Sequence, residues 1–349
     1  MSELRTNEPS RSDSSPTAQK IATPPSTNGA KRSMRQDLQI LPTRSLGWVF
    51  LIATALLLIA TFTDQDISNA LINSNDLYGV IMQTYGEFPP AVLGALAMLT
   101  LAGCLWKTKL PTVVRSIGTV LLGWASFLFI LNWCQQVADY RRSWEANKAT
   151  GLAIGLANND STETASLSEL LSAAFAAAII TALLCVVTWY FLRQRTQERL
   201  HAIAIAAVIM LAVIWVGHGI NDQMKTLWGR FRPYEVAAGE GPFSVWYHIN
   251  GNNGHRSFPS GHTQEGTTLA ALAILLYPIS KKAWRIALWF GIFWGGTMAL
   301  SRVIVGAHWP TDTIVSFMLT LGVVCAGLWL VSWLTKPSIE GNVESRAAV

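Results

Sequence analysis

From residue 46 onward the chain alternates between long apolar runs and short polar connections. Eight runs stand out, at roughly 46–63, 89–106, 116–134, 169–192, 201–220, 263–280, 285–300 and 311–334. A helix rises about 1.5 Å per residue and a bilayer's hydrocarbon core is about 30 Å thick, so about 20 apolar residues cross it. The pattern therefore predicts an all-α fold, a polytopic transmembrane helical bundle of about eight spans. The sixth and seventh runs are short or polar-tipped. Trp48, Trp106, Trp133, Trp189, Trp284, Trp309 and Trp333 fall at run ends, the depth that indole rings prefer in a membrane. Residues 1–44 are rich in Ser, Thr, Pro, Asn and Arg. Such a segment buries too little apolar surface to order itself, and a disordered cytoplasmic tail is expected. The polar stretch before the first run is too long for a signal peptide.

Composition sharpens this picture. Apolar residues make up 51% of the 349 and charged residues only 13%, against about 25% charged in soluble domains. No room remains for a large separate soluble domain. The net charge of +5 would suggest nucleic acid in a soluble protein, but here its distribution decides. With the N-terminus in the cytoplasm, 18 of the 26 Lys and Arg residues fall on the inner side, in the tails and in KTKLPTVVR, RQRTQER and KKAWR. That bias fits the positive-inside rule, and no nucleic-acid partner is inferred. Four loops then lie outside, at about 64–88, 135–168, 221–262 and 301–310. Four parts are expected: the 1–44 tail, N-terminal transmembrane helices with extracytoplasmic loops over 45–199, a core over 200–335, and a cytoplasmic tail over 336–349. Cys104, Cys134, Cys185 and Cys325 lie in or beside apolar runs without CxxC spacing, so buried free thiols are expected and no structural zinc.

Three short stretches concentrate the unusual chemistry on the outer side: KTLWGRFRP (225–233), FPSGHT (258–263) and SRVIVGAHWPTD (301–312). Ionisable groups beside membrane spans are costly and mark function. Lys225, Arg232 and Arg302 offer three cations, and the arginine fork matches phosphate oxygens. Ser260 and Gly261 precede a helix start, whose backbone N–H groups cradle anions. His262 stands at that same helix end. Asp312 follows His308 by four residues, near enough to hold one ring nitrogen and leave the other as a nucleophile. A tetrahedral oxyanion such as phosphate suits this set. His308 would attack phosphorus, His262 would protonate the leaving oxygen, and the cations would stabilise the equatorial oxygens.

At this point the sequence resembles a known family. KTLWGRFRP fits Lys-x6-Arg-Pro, PSGH is intact, and SRVIVGAHWPTD fits Ser-Arg-x5-His-x3-Asp, all in the order of the type-2 phosphatidic acid phosphatase superfamily. These lipid phosphate phosphatases share a helical core with vanadium haloperoxidases. The resemblance covers roughly residues 200–335. It implies a phosphohistidine on His308, His262 as the acid, and Asp312 as the orienting partner. Phosphate contact falls to Lys225, Arg232 and Arg302, with Ser260 and Gly261 in the cradle. It also implies metal-independent hydrolysis, with no metal and no cofactor. The expected function is an integral membrane lipid phosphatase acting on a phosphatidate, phosphatidylglycerol phosphate or undecaprenyl diphosphate type of lipid, at the extracytoplasmic face. A lipid phosphotransferase on the same phosphohistidine is the alternative, and a non-catalytic lipid or anion transporter a further one. The partners expected are the membrane and the lipid substrate, with no obligate protein partner. The family commonly has six spans, and the additional ones precede the core.

Other polar residues carry plainer expectations. Asp64 and Asp66 read as solvated loop residues, and Glu265 as a charge at a helix start. Arg230 reads as an off-motif neighbour with a headgroup contact as the alternative, His255 and Arg256 as residues before PSGH with a place at the pocket entrance as the alternative, and His201, His218 and His248 as structural. The 135–168 segment reads as an ordinary polar loop, with a lid or selectivity element as the alternative. The Gly- and Asn-rich 234–257 loop could shape headgroup access.

Overall fold

The computed structural model describes residues 43–157 and 164–347, with side chains as far as 335; most of the expected disordered tail lies outside them. Eleven α-helices account for most of the described residues, and no strand occurs among them. They are α1 (Thr43–Leu71), α2 (Leu77–Tyr85), α3 (Phe88–Trp106), α4 (Thr112–Thr150), α5 (Leu167–Leu192), α6 (Gln197–Trp228), α7 (Pro233–Ala237), α8 (Gly261–Thr268), α9 (Leu272–Leu276), α10 (Lys281–Ile304) and α11 (Pro310–Ala347). One 3₁₀ turn, Ile154–Leu156, follows α4, and another, Leu269–Ala271, joins α8 to α9.

Local chemistry fixes many boundaries. Ser166 opens α5 in a capping box with Glu169, which satisfies two N–H groups that the helix leaves unpaired. Thr196 caps α6, and Ser280 caps α10, each through its side-chain oxygen. Helix α6 ends at Gly229 with φ 53°, a left-handed turn that favours glycine. A Cβ there would lie 2.0 Å from the Gly251 carbonyl oxygen. Pro310 opens α11, where its missing N–H is not needed.

Seven helical stretches are long and apolar enough to cross a membrane: Thr43–Leu71, Leu77–Trp106, Thr112–Thr150, Leu167–Leu192, Gln197–Ala237, Lys281–Ile304 and Pro310–Thr335. The protein is an integral membrane protein. The remaining expected run, 263–280, is not a single long helix but α8, a 3₁₀ turn and α9 in series. The reason is visible in α8, GHTQEGTT, which is polar yet mostly buried and packs between α6, α10 and α11 rather than against lipid. Its partner α10 makes room through Gly291, where a Cβ would come within 2.2 Å of the Ala270 nitrogen. Small residues allow such close helix contact in membranes. By contrast α1, α4 and α5 turn large apolar residues outward, among them Phe62, Val113, Leu171 and Phe175, as lipid contact requires.

The 135–168 segment is not the polar loop expected. Helix α4 continues through about its first half, to Thr150, and Gly155 donates its N–H to the Ser74 carbonyl. The same end of the bundle gathers the α1–α2 connection, through Asn73 N–H to the Ile304 carbonyl, together with the C-terminal ends of α6 and α10 and the starts of α8 and α11. All three motifs therefore meet at one end. The basic connections 107–111 and 193–196 and the basic start of α10, with Lys281, Lys282 and Arg285, lie at the other.

Candidate active site

Six of the eight expected site residues line one cavity of about 390 Å³: Lys225, Arg232, Gly261, His262, Arg302 and His308. The remaining two, Ser260 and Asp312, lie behind its wall, each fully buried.

The cations are held in different ways. Arg302 is fully buried. It donates from Nε to Ser301 Oγ at 3.2 Å, from Nη1 to Gln83 Oε1 at 2.7 Å, and from Nη2 to the Gly79 carbonyl. A guanidinium has five N–H groups, so its plane is fixed while some donors remain for the cavity. Lys225 rides the last turn of α6, and a Cβ on Gly261 would stand 2.7 Å from its Nζ. The bare glycine thus leaves room for both the ammonium and an anion at the start of α8. Ser260 caps that helix: its Oγ accepts from the Thr263 N–H at 3.4 Å and from the Thr263 hydroxyl at 3.0 Å. Arg232 sits at the turn into α7, its guanidinium 5.8 Å from the Tyr234 ring centre.

His308 occupies the short turn between α10 and α11 and is 1% exposed. Its Nδ1 lies 2.6 Å from the Ser257 backbone carbonyl and 3.7 Å from Asp312 Oδ2. A carbonyl only accepts, so Nδ1 carries the proton and Nε2 holds a free lone pair. Burial, helped by the nearby Arg232 charge, brings the ring's pKa down to about 3 against the pull of Asp312. The ring is therefore neutral at ordinary pH. Asp312 acts mostly on the frame around it. Its Oδ2 accepts from Ser257 Oγ and from the Trp309 N–H at 3.0 Å, the residues on either side of the His308 contact.

Sequence reasoning missed three contributors. Arg230 is fully buried and bridges two aspartates: Nη1 to Asp312 Oδ1, and Nη2 to Asp64 Oδ2 at 2.8 Å. Its guanidinium also packs beside the paired rings of Phe243 and Trp309, 5.4 Å and 5.5 Å from their centres. Asp64 is not a solvated loop residue. It is 3% exposed, within α1, and its Oδ1 also accepts the Thr311 N–H at 2.9 Å. Ser257 contributes a main-chain carbonyl, which no residue type advertises. Of the motif neighbours, Arg256 lines the cavity and pairs with Asp222, while His255 stacks against Phe231 beside Glu235. Glu265 also reaches the cavity, together with Glu87 and Tyr140 from the N-terminal helices. Next to it lies a second cavity of about 210 Å³, walled by Pro90, Phe129, Trp133, Ile214 and Trp215 and sharing Glu87 and Glu265 with the first.

Residues 202–336 match the sequence model of the PAP2 superfamily. The C-terminal half is thus similar to that family over the region that holds the three motifs. Phosphatidylglycerophosphatase B of Escherichia coli is 32% identical over 91 residues, which are 26% of this chain and 35% of that protein. The lipid A 1-phosphatase of Rhizobium johnstonii is 35% identical over 124 residues, 35% of this chain and 46% of that protein. The lipid A 4'-phosphatase of Bacteroides thetaiotaomicron is 29% identical over 115 residues, 32% of this chain and 48% of that protein. The chain thus spans between a third and a half of these relatives. No solved structure matches it with comparable significance.

Proposed function

We propose that this chain, an integral membrane protein with a PAP2 domain in its C-terminal half, is a lipid phosphatase that hydrolyses a phosphate monoester or diphosphate through a phosphohistidine on His308. The observation that carries this reading is the convergence of a neutral histidine, with Nε2 unprotonated, and three cations on one cavity. Lys225, Arg232 and Arg302 would hold the phosphoryl oxygens, with the N–H groups at Gly261 completing the cradle. His308 Nε2 would attack phosphorus as His262 protonates the leaving oxygen. Water would then cleave the N–P bond, with His262 as the base. Asp312 and Ser257 hold the ring in the attacking tautomer. These residues supply the positive charge that metal ions provide at other phosphoryl-transfer sites.

Three features support a lipid as substrate. The relatives are named for lipid phosphates. The site lies at one end of a membrane bundle. The adjoining, largely apolar cavity suits a hydrocarbon chain. The basic connections at the opposite end favour an extracytoplasmic site under the positive-inside rule.

The test is phosphate release by detergent-purified protein from phosphatidate, phosphatidylglycerol phosphate, undecaprenyl diphosphate and lipid A, with chelator present and the His308→Ala protein as blank. Release from at least one lipid that is lost in the variant is expected. Equal release by the variant would end the proposal.

A further inference from the structure

His262 does not stand alone in the cavity. Its Nε2 lies 2.9 Å from Glu87 Oε1 and 3.1 Å from the Tyr140 hydroxyl. Glu87 precedes α3 but makes no capping bond to that helix; its carboxyl turns into the cavity instead. Glu265 follows His262 by three residues on α8, which puts both on one helix face, and Glu265 and Glu87 line the same two adjoining cavities. Glu265 Oε2 is buried without a hydrogen-bond partner among the described residues. Two carboxyls that face one buried cavity favour sharing a proton, because repulsion and lost solvation each oppose ionising both. Glu87 and Tyr140 belong to helices outside the family-matched region 202–336, so no PAP2 motif supplies them.

We propose that Glu87 and Glu265 form a proton-sharing carboxyl pair that supplies His262 as it acts, with Tyr140 holding the ring in place. The inference rests on the phosphatase reading. In the resting state the Glu87 carboxyl O–H donates to His262 Nε2, so the ring's proton sits on Nδ1. On attack, the His308 Nε2–P bond forms and the bond from phosphorus to the leaving oxygen breaks. That oxygen takes the proton from His262 Nδ1, while Nε2 takes the one from Glu87. In the second half the attacking water gives a proton to Nδ1, its oxygen bonds phosphorus as the His308 Nε2–P bond breaks and leaves its electron pair on Nε2 of His308, and His262 Nε2 returns its proton to Glu87. The ring stays neutral at the end of each half-reaction, which suits its position among Lys225, Arg232 and Arg302. These two glutamates are positioning and proton-supply residues acting through His262.

The experiment separates proton supply from shape by varying the leaving group. Glu87→Gln keeps the volume and a donor to Nε2 but carries no transferable proton; Glu265→Gln is the second variant. Each is assayed on an alkyl lipid phosphate and on a nitrophenyl phosphate bearing the same tail, whose leaving group has a pKa of about 7 and needs no proton. The expected result is about a 30-fold or greater fall in kcat on the alkyl ester and less than about a threefold fall on the nitrophenyl ester, with KM little changed. Equal losses on both substrates, or no loss on either, in variants that fold would overturn the proposal while leaving the phosphatase reading intact. A wild type inert on both esters and on the lipid panel would overturn that reading and this inference with it.

Discussion

Arg230→Met tests the buried framework most directly. The wild-type side chain is 0% exposed. It donates to Asp312, to Asp64 at 2.8 Å, to Thr311 Oγ1 at 2.9 Å and to the Ser244 carbonyl at 2.9 Å. Methionine fills similar volume but removes the one cation that faces two aspartates of at most 3% exposure. Removing one member of a buried ion pair costs about 3–5 kcal/mol, since its partner is left charged in a poor solvent. At about 2–4 °C per kcal/mol for a chain of this size, the thermal midpoint should fall by about 10 °C or more. Intrinsic tryptophan fluorescence in detergent follows it, because the chain has 15 tryptophans. Adding Asp64→Asn to the methionine background removes one uncompensated carboxylate. It should recover about 1–3 kcal/mol, although Asp64→Asn alone destabilises. A methionine variant melting within about 2 °C of wild type, or a double variant less stable than the single one, would refute the argument.

Other outcomes follow from the same geometry. His308→Ala and His262→Ala should each lower lipid phosphate release by about a thousandfold or more, measured as inorganic phosphate against matched protein. Gly261→Ala should push the Lys225 ammonium aside, since the new Cβ would sit 2.7 Å from Nζ. Activity should drop about tenfold and vanadate inhibition weaken, with little change in melting temperature. His308 has a pKa lowered by burial from about 6.5 to about 3, so the unfolded chain binds a proton that the folded chain does not. Its contribution to stability is present above about pH 6.5 and is lost as pH falls toward about 3. The midpoint of His308→Ala should accordingly depend less steeply on pH in that window.

Much of the bundle was legible because the membrane acts on each residue separately. Apolar length and tryptophan position give the spans directly, and seven of the eight expected runs fall within helices long enough to cross. The exception, 263–280, has its polar α8 covered by protein, and hydropathy cannot tell a neighbouring helix from lipid. The histidines and cations were legible from residue type and spacing, which phosphate chemistry constrains closely. Their supports were not. Arg230 and Asp64 are 166 residues apart, and a charge beside a span reads as solvated until its partner is in place. The Ser257 carbonyl that fixes the His308 tautomer could come from any residue, so no side chain announces it.

The sequence by itself thus determined the solvent of this protein, its approximate topology and the set of groups proposed to meet a phosphoryl anion, because each depends on local composition or on fixed spacing. Only the tertiary structure decided which groups are buried together: Glu87 and Tyr140 against His262, Asp64 against Arg230, and Ser257 against His308. The physical reason is that the state of a buried charge or proton is set by neighbours brought close through packing, and distance along the chain carries no record of that proximity.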